Sequence, residues 1–279
     1  MRDGVIGWTR QPAGRVRRLQ VAFALVLPLS TLHLAVALAD PVVPPQPRYG
    51  WREVWGGADA TRDVWLLYTG VTLAPWSDDI YADGLRLRAS SGYGQYSYRG
   101  AVTAPTPCGA PAFDPCTYTT RRFNVDHSYI DALIGYHKRY GELTAKAFIG
   151  VAAISHRLDA SDPDNAVAGD DFGVKGVVEL WLNLGPRGWT SLDLNYTTAH
   201  DTAAARWRAG WRMLPTVSLG PEVRYDVNAD DDAGRVGAFL RYDWFGGEIS
   251  VAGGVAGTMT GGEDQDLAPY ATLNVLFQY

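Results

Sequence analysis

The chain ends in Pro269-Tyr-Ala-Thr-Leu-Asn-Val-Leu-Phe-Gln-Tyr279, which alternates apolar and polar side chains up to its last residue. One face of this stretch carries Ala271, Leu273, Val275, Phe277 and Tyr279. A strand with two dissimilar faces suits the wall of a membrane barrel, with lipid on one side and a polar lumen on the other. A soluble domain could also end in an amphipathic strand. An aromatic residue at the end of the final strand, however, is typical of bacterial outer-membrane barrels.

The N-terminal region has the layout of a secretory signal peptide. Arginines precede an apolar run from Val21 to Leu38, which closes with the small-x-small sequence Ala37-Leu38-Ala39. A membrane anchor is the alternative, because the run is nearly long enough to span a bilayer. The small residues and the prolines that follow favour cleavage. The sequence therefore predicts a signal peptide at 1–39, a proline-rich periplasmic segment at 40–50 and a β-barrel domain at 51–279.

Composition narrows the class of protein. Beyond the apolar run, no stretch has 18 consecutive apolar residues, which argues against a helical membrane protein. The chain has 31 Gly, 10 Trp, 15 Tyr and only 3 Met, a bias toward strands, turns and interfacial aromatics. A net charge of -5 argues against a nucleic-acid partner. These features favour an exported all-β protein.

Period-two alternation divides the remaining chain into about twelve strands. Between Arg206 and Met213, arginine or glycine fills one face and Trp207, Ala209, Trp211 and Met213 fill the other. Arginine at every second position is unsuited to a lipid face, so it predicts a polar lumen. The fold class predicted is an antiparallel up-and-down outer-membrane β-barrel. A soluble periplasmic sandwich is the alternative.

The predicted connections alternate in length, as short periplasmic turns and longer outer loops do in such barrels. The predicted inner turns lie at 139–142, 185–188, 214–215 and 245–247, and the predicted outer connections lie at 100–120, 158–170, 228–234 and 260–267. Two connections depart from this rule: the inner one at 76–84 is long, and the outer one near 199–203 is short. An aromatic girdle at the inner rim is predicted from Tyr136, Tyr140, Trp189, Trp244 and Tyr279.

The two cysteines, Cys108 and Cys116, lie in one of these outer loops. In an exported chain they are expected to form a local disulfide. Two cysteines are too few to suggest a metal site, and the sequence predicts neither a metal nor a cofactor.

Several short motifs occur in a characteristic order along the chain. They are Gly92-Tyr-Gly-Gln-Tyr-Ser-Tyr98, Ser161-Asp-Pro-Asp-Asn-Ala-Val-Ala-Gly169, Glu179-Leu-Trp181, Leu219-Gly-Pro-Glu222, Ala238-Phe-Leu-Arg-Tyr242, Gly247-Glu-Ile-Ser250 and Tyr270-Ala-Thr-Leu-Asn274. In this order they resemble the cellulose biosynthesis protein BcsS family, from about Trp51 to Tyr279. The resemblance implies a bacterial outer-membrane component of cellulose production, with outer-membrane lipid and cellulose or other cellulose-secretion components as partners. It supplies no catalytic residues.

The predicted lumen carries many charged side chains. They are Arg86, Arg88, Asp131, Lys175, Glu179, Asp193, Arg206, Arg208, Arg212, Glu222, Arg224, Arg235, Arg241 and Asp243. One interpretation is a polysaccharide conduit or docking surface, with Tyr98 and Trp181 as sugar-stacking platforms. The other is that opposite charges pair and fill the lumen, because buried charges must be paired.

Catalysis would require a nucleophile and a base brought together, such as a serine with His127, His137, His156 or His200. No nucleophile-elbow motif accompanies these histidines. The acidic stretches 162–171 and 230–232 lack the spacing of an EF-hand loop, which favours solvated outer loops over calcium sites. We therefore predict a non-enzymatic accessory barrel. A structural or adhesive surface barrel and a lipid-modifying outer-membrane enzyme are the alternatives.

Overall fold

The computed structural model describes residues 50–103, 118–163, 165–229, 232–257 and 267–279. It contains twelve strands, numbered in chain order. They are β1 Arg52–Ala60, β2 Val64–Leu73, β3 Gly84–Thr103, β4 Tyr118–Tyr140, β5 Leu143–Leu158, β6 Gly169–Leu184, β7 Gly188–Thr197, β8 Thr202–Leu214, β9 Val217–Val227, β10 Asp232–Trp244, β11 Gly247–Gly257 and β12 Ala268–Gln278. A 3-10 turn, Ala199–Asp201, joins β7 to β8.

The strands form one closed antiparallel barrel in which each strand pairs with its neighbours in sequence. The first and last strands close the ring, with Glu53 opposite Gln278 and Ala60 opposite Ala271. Closure leaves no unpaired sheet edge, the condition that a β-structure must meet in lipid. The predicted up-and-down barrel of twelve strands is confirmed.

The outer wall of the barrel is apolar. The C-terminal strand shows the pattern, since Leu273 and Phe277 are exposed while Thr272 and Gln278 are buried. Other exposed apolar side chains on the wall include Leu67, Ile130, Ile149, Val151, Phe172, Val174, Trp207, Trp211, Val236, Leu240 and Val251. Exposed aliphatic and aromatic side chains around the whole circumference are what a lipid-facing wall requires. No helix in the described part of the chain is long and apolar enough to cross a membrane.

The connections confirm the expected asymmetry. At the end that carries residues 50 and 279, called the turn end, four connections have only two or three residues, at 141–142, 185–187, 215–216 and 245–246. The opposite end is called the loop end. There the strands extend into the predicted loops. β3 continues to Thr103 and β4 begins at Tyr118, so strand replaces both borders of the predicted 100–120 loop. Strand likewise takes 169–170 of the predicted 158–170 loop and 232–234 of the predicted 228–234 loop. Cys108 and Cys116 lie outside the described residues.

Glycines let large aromatic side chains lie flat inside the barrel. A Cβ atom on Gly210 would lie 2.1 Å from the Trp189 indole, and one on Gly92 would lie 2.4 Å from the Tyr129 ring. The same holds for Gly70 beneath Trp55. Glycine on one strand thus makes room for an aromatic ring from the neighbouring strand, a known way of stabilising glycine-rich sheet.

Candidate functional site

The predicted lumen charges face the interior and most of them meet a partner there. Arg88 pairs with Glu179, and Lys175 pairs with Asp131. Arg206 contacts Glu222 through two nitrogens, at 2.9 and 2.5 Å, and Arg212 donates to the side-chain oxygen of Asn183 at 2.9 Å. The remaining pairs are Arg224 with Asp59, Arg235 with Asp59 and Arg241 with Asp243.

Several of these contacts cross the lumen. Arg224 on β9 lies 2.5 Å from Asp59 on β1, although three strands separate β9 from β1 in the ring. Arg241 on β10 lies over the Trp181 ring on β6, 4.9 Å from its centroid. Side chains from non-adjacent strands therefore meet inside the barrel and bridge part of the lumen.

The long connection Ala74–Asp83, predicted as an exception among the inner turns, folds against the turn end of the lumen. Ala74 and Ile80 are buried, and Arg86 donates to the carbonyl oxygens of Ile80 at 2.7 Å and of Ala82. Tyr81 meets the Gln278 side chain, which also donates to Glu53 at 3.2 Å. We call this connection the inner plug.

The rim of the inner plug carries an ion pair. The Lys138 ammonium and the Arg139 amide both donate to the Asp83 carboxylate, and these hydrogen bonds hold the pKa of Asp83 below its usual value. The pair lies in solvent at the end of β4, so it anchors the plug only weakly.

An aromatic cluster lies above the turn end. Trp181 stacks on Trp189 with ring centroids 4.1 Å apart, and Trp189 contacts Phe239 at 5.3 Å. The prediction of Trp189 as a girdle residue was wrong, because it is 1% exposed and faces the lumen. Side chains alternate between the two faces of a strand, and Trp189 shares the lumen-facing side of β7 with buried Ser191. Tyr136 and Tyr140 are exposed and therefore lie on the outer side of β4. The predicted stacking residue Trp181 thus has one face covered by Trp189.

A second aromatic group lies at the loop end. Tyr98, the other predicted stacking residue, stacks on Phe123 at 5.3 Å and lies 6.3 Å from Tyr96. Its hydroxyl donates to Asp162 at 2.7 Å and accepts from the Asn165 amide at 2.9 Å. Tyr98 therefore holds the β5–β6 connection over the barrel mouth.

Three histidines also gather at the loop end, away from the fourth. The ring of His156 lies 4.6 Å from that of His127 and 5.0 Å from that of His200, whereas His137 is buried beside Arg86 at the turn end. No group of three or more potential ligands in the described ranges is arranged to hold a metal ion. In the acidic stretch, Asp162 accepts from Tyr98 and Asp171 accepts from the His200 amide at 2.8 Å.

A central cavity of about 370 Å³ lies in the lumen, and its lining reaches Glu53, Lys146 and Glu248 near the turn end. Strands on all sides contribute to its wall, and its charged lining comprises the bases Arg88, Lys146, Lys175, Arg206, Arg208 and Arg224 and the acids Glu53, Asp59, Glu179, Asp193 and Glu248. Trp55, Tyr68 and Tyr129 supply aromatic surface. The wall of the cavity is therefore rich in charged groups, with three aromatic side chains among the charges.

Two charged side chains of this cavity differ from the others. Within the described residues, neither Asp193 nor Arg208 makes an ion-pair contact or a side-chain hydrogen bond. The Arg208 guanidinium lies 5.8 Å from the Trp189 ring and 5.6 Å from the Phe239 ring, and it attracts the Asp193 carboxylate without touching it. The Arg208 Nε atom is buried with no hydrogen-bond partner. These are the groups available to a ligand.

Sequence reasoning missed Glu53, Asp59, Lys146 and Glu248 as lumen residues. Each of them alternates with apolar or small neighbours, as in Glu53-Val-Trp-Gly-Gly-Ala-Asp59. Glu53 lies opposite Gln278 in the strand pair that closes the barrel, and paired residues share a face. The inward face of Gln278 would therefore have placed Glu53 in the lumen, together with Asp59, which lies an even number of positions along β1.

A family model described as cellulose biosynthesis protein BcsS matches residues 54–279. A search of curated proteins found no match. Among solved structures, the chain is similar to the KdgM porin, at 9% identity and a TM-score of 0.44 over 81% of this chain and 99% of the other. It is also similar to the COG4313 outer membrane channel from Pseudomonas putida F1, at 10% identity and a TM-score of 0.45 over 87% and 100%.

Proposed function

The chain belongs to the cellulose biosynthesis protein BcsS family, and we propose that it is a non-enzymatic barrel of the bacterial outer membrane that docks polymer during cellulose production or secretion. The observation that carries docking, in preference to an open conduit, is the Asp59–Arg224 contact across the lumen. The inner plug adds a second obstruction at the turn end.

The apolar wall supports the proposed location. Strands of nine residues or more, such as β1 and β2, reach across a bilayer when tilted. Exposed Tyr140, Phe245 and Tyr279 lie at the turn end, where interfacial aromatics are expected. We propose that this end faces the periplasm, and that residues 1–39 are the export signal and residues 40–50 a periplasmic segment.

The pattern of contacts also supports a role without covalent chemistry. His137 holds the inner plug with Arg86, and His156 contacts the Tyr96 hydroxyl at 3.0 Å. Neither histidine has a serine as its hydrogen-bond partner in the described residues. The sugar-stacking roles of Tyr98 and Trp181 stay predictions, and each ring has at most one face free for a sugar.

The test is cellulase-digestible glucan in a clean deletion strain, measured separately outside the cell and in the periplasm. Docking predicts less external glucan, restored by the intact gene. Unchanged glucan in both fractions would contradict the proposal and favour a structural or adhesive barrel. Accumulation in the periplasm with complete loss outside would favour a conduit instead.

A further inference from the structure

We propose that Asp193 and Arg208 bind the hydroxyl groups of a neutral glucan segment inside the central cavity. The inference rests on the proposed function, since it names the ligand class and two ligand-binding residues of the same lumen.

Within the described residues, Asp193 and Arg208 make no direct ion-pair or hydrogen-bond contact, although their opposite charges attract each other across the cavity. Every other predicted lumen charge has an ion pair or a hydrogen bond, including Arg86 with the plug carbonyls and Arg212 with Asn183. Buried polar groups are normally hydrogen-bonded, so a carboxylate and a guanidinium without such bonds leave positions that a ligand or solvent can satisfy. Asp193 and Arg208 both line the cavity.

Asp193 and Arg208 lie close together on neighbouring strands. β7 and β8 pair so that Ser191 lies opposite Arg208 and Asp193 lies opposite Arg206. Asp193 and Arg208 are therefore diagonal neighbours on one face, with Cα atoms about 7–8 Å apart. One sugar residue can reach both of them. The carboxylate accepts from its hydroxyls, and the guanidinium donates to its oxygens.

The charges that line the cavity nearly balance one another. Its lining has six basic and five acidic side chains, so their formal charges nearly cancel. An anionic polymer would meet the unpaired Asp193 carboxylate, and a cationic one would meet Arg208. A neutral polyhydroxyl chain meets neither repulsion and can bond to both groups.

The aromatic lining suits the same ligand. Trp55 and Tyr68 both line the cavity, with ring centroids 6.4 Å apart. The Tyr68 hydroxyl donates to Asn274 at 2.6 Å, and the Arg88 guanidinium lies 5.0 Å from the centre of the Trp55 ring. Aromatic faces pack against the C–H faces of sugars as they do against other apolar surfaces. At about 370 Å³, the cavity holds a short segment and not a long chain.

The test is calorimetric titration of the full-length barrel with cellohexaose, in a detergent that has no sugar headgroup. We expect binding with a Kd below about 1 mM. Asp193→Asn and Arg208→Gln should each weaken it about tenfold or more, because each loses a charge-assisted hydrogen bond. Arg208→Lys should recover part of the loss. The folded fraction of each variant is checked by heat-modifiable migration on gels.

Matched controls lie in the same lumen but outside the cavity lining. Asp243→Asn and Arg212→Gln each remove one charge of the same kind and should leave the Kd unchanged. No binding to the folded wild type, equal binding to all variants, or tighter binding of an oligouronate of the same length would each overturn the assignment. If cellohexaose fails to bind while the deletion strain still loses external glucan, the site is wrong and the proposed function stands. Binding with unchanged glucan would support the site and contradict the proposed function.

Discussion

Substitution of Asp59 by Asn should cost the barrel about 2–3 kcal/mol of unfolding free energy. Asp59 is 2% exposed, accepts from Thr272 at 2.6 Å and lies 2.5 and 3.6 Å from Arg224 and Arg235. Removing one partner of a buried pair costs about 3–5 kcal/mol. The expected loss is smaller here because Arg224 keeps Asp226 at 2.9 Å and Asn can still accept from Thr272.

The assay is equilibrium urea unfolding of the barrel in lipid vesicles, followed by tryptophan fluorescence. The control is Asp63→Asn, which breaks a 2.7 Å pair with Arg122 whose side chains are 41% and 56% exposed. Such exposed pairs contribute about 0–1 kcal/mol. Asp59→Asn and Arg224→Gln should couple by about 1–3 kcal/mol in a double-mutant cycle. Equal losses for Asp59→Asn and Asp63→Asn, or simple additivity in the cycle, would refute the cross-lumen bridge.

Three further perturbations test separate parts of the lumen. Trp189→Ala should cost about 3–5 kcal/mol in the same assay, because it empties a buried aromatic site; a loss under about 1 kcal/mol would contradict the packing. Arg86→Ala should release the inner plug and speed its proteolysis in detergent without unfolding the barrel; unchanged cleavage within 74–83 would show that other contacts hold it. Because the folded pKa of Asp83 is lowered, its contribution is present above its unfolded pKa and is lost as pH falls through the folded pKa. Asp83→Asn should therefore lower Tm slightly at neutral pH and have no effect in acid; an equal effect at both would contradict this.

The barrel could be predicted from sequence because lipid imposes a strict alternation. Arg206, Arg208 and Arg212 could only face inward once Trp207 and Trp211 faced out, and the short turns at 185–187 and 215–216 fixed the neighbouring strands. Strand ends at the loop end were harder, because beyond the lipid the alternation loses its apolar face. The predicted loop therefore ran from 100 to 120, whereas β3 continues to Thr103 and β4 begins at Tyr118.

The site was less predictable because pairing across the lumen depends on which strands face each other. Nothing local indicates that Arg224 meets Asp59, which lies 165 positions away. Nothing local distinguishes Asp193 and Arg208 either, because they differ from the other predicted lumen charges only in having no direct ion pair or hydrogen bond within the described residues. Trp189 was misplaced because proximity to a turn outweighed its parity with Ser191. Alternation predicts which face of a strand a residue occupies. Its partner across the lumen can be identified only from the order of the strands in the closed barrel.

The central claim is that the barrel docks polymer and is not an open conduit, and planar-bilayer recording tests it most directly. The wild-type barrel should show no steady open-channel current. A variant that removes both obstructions, with residues 75–82 replaced by a short Gly/Ser turn and with Asp59→Ala and Arg224→Ala, should conduct, which also proves insertion. A large steady wild-type current that falls when cello-oligosaccharide is added would contradict the account and establish a conduit.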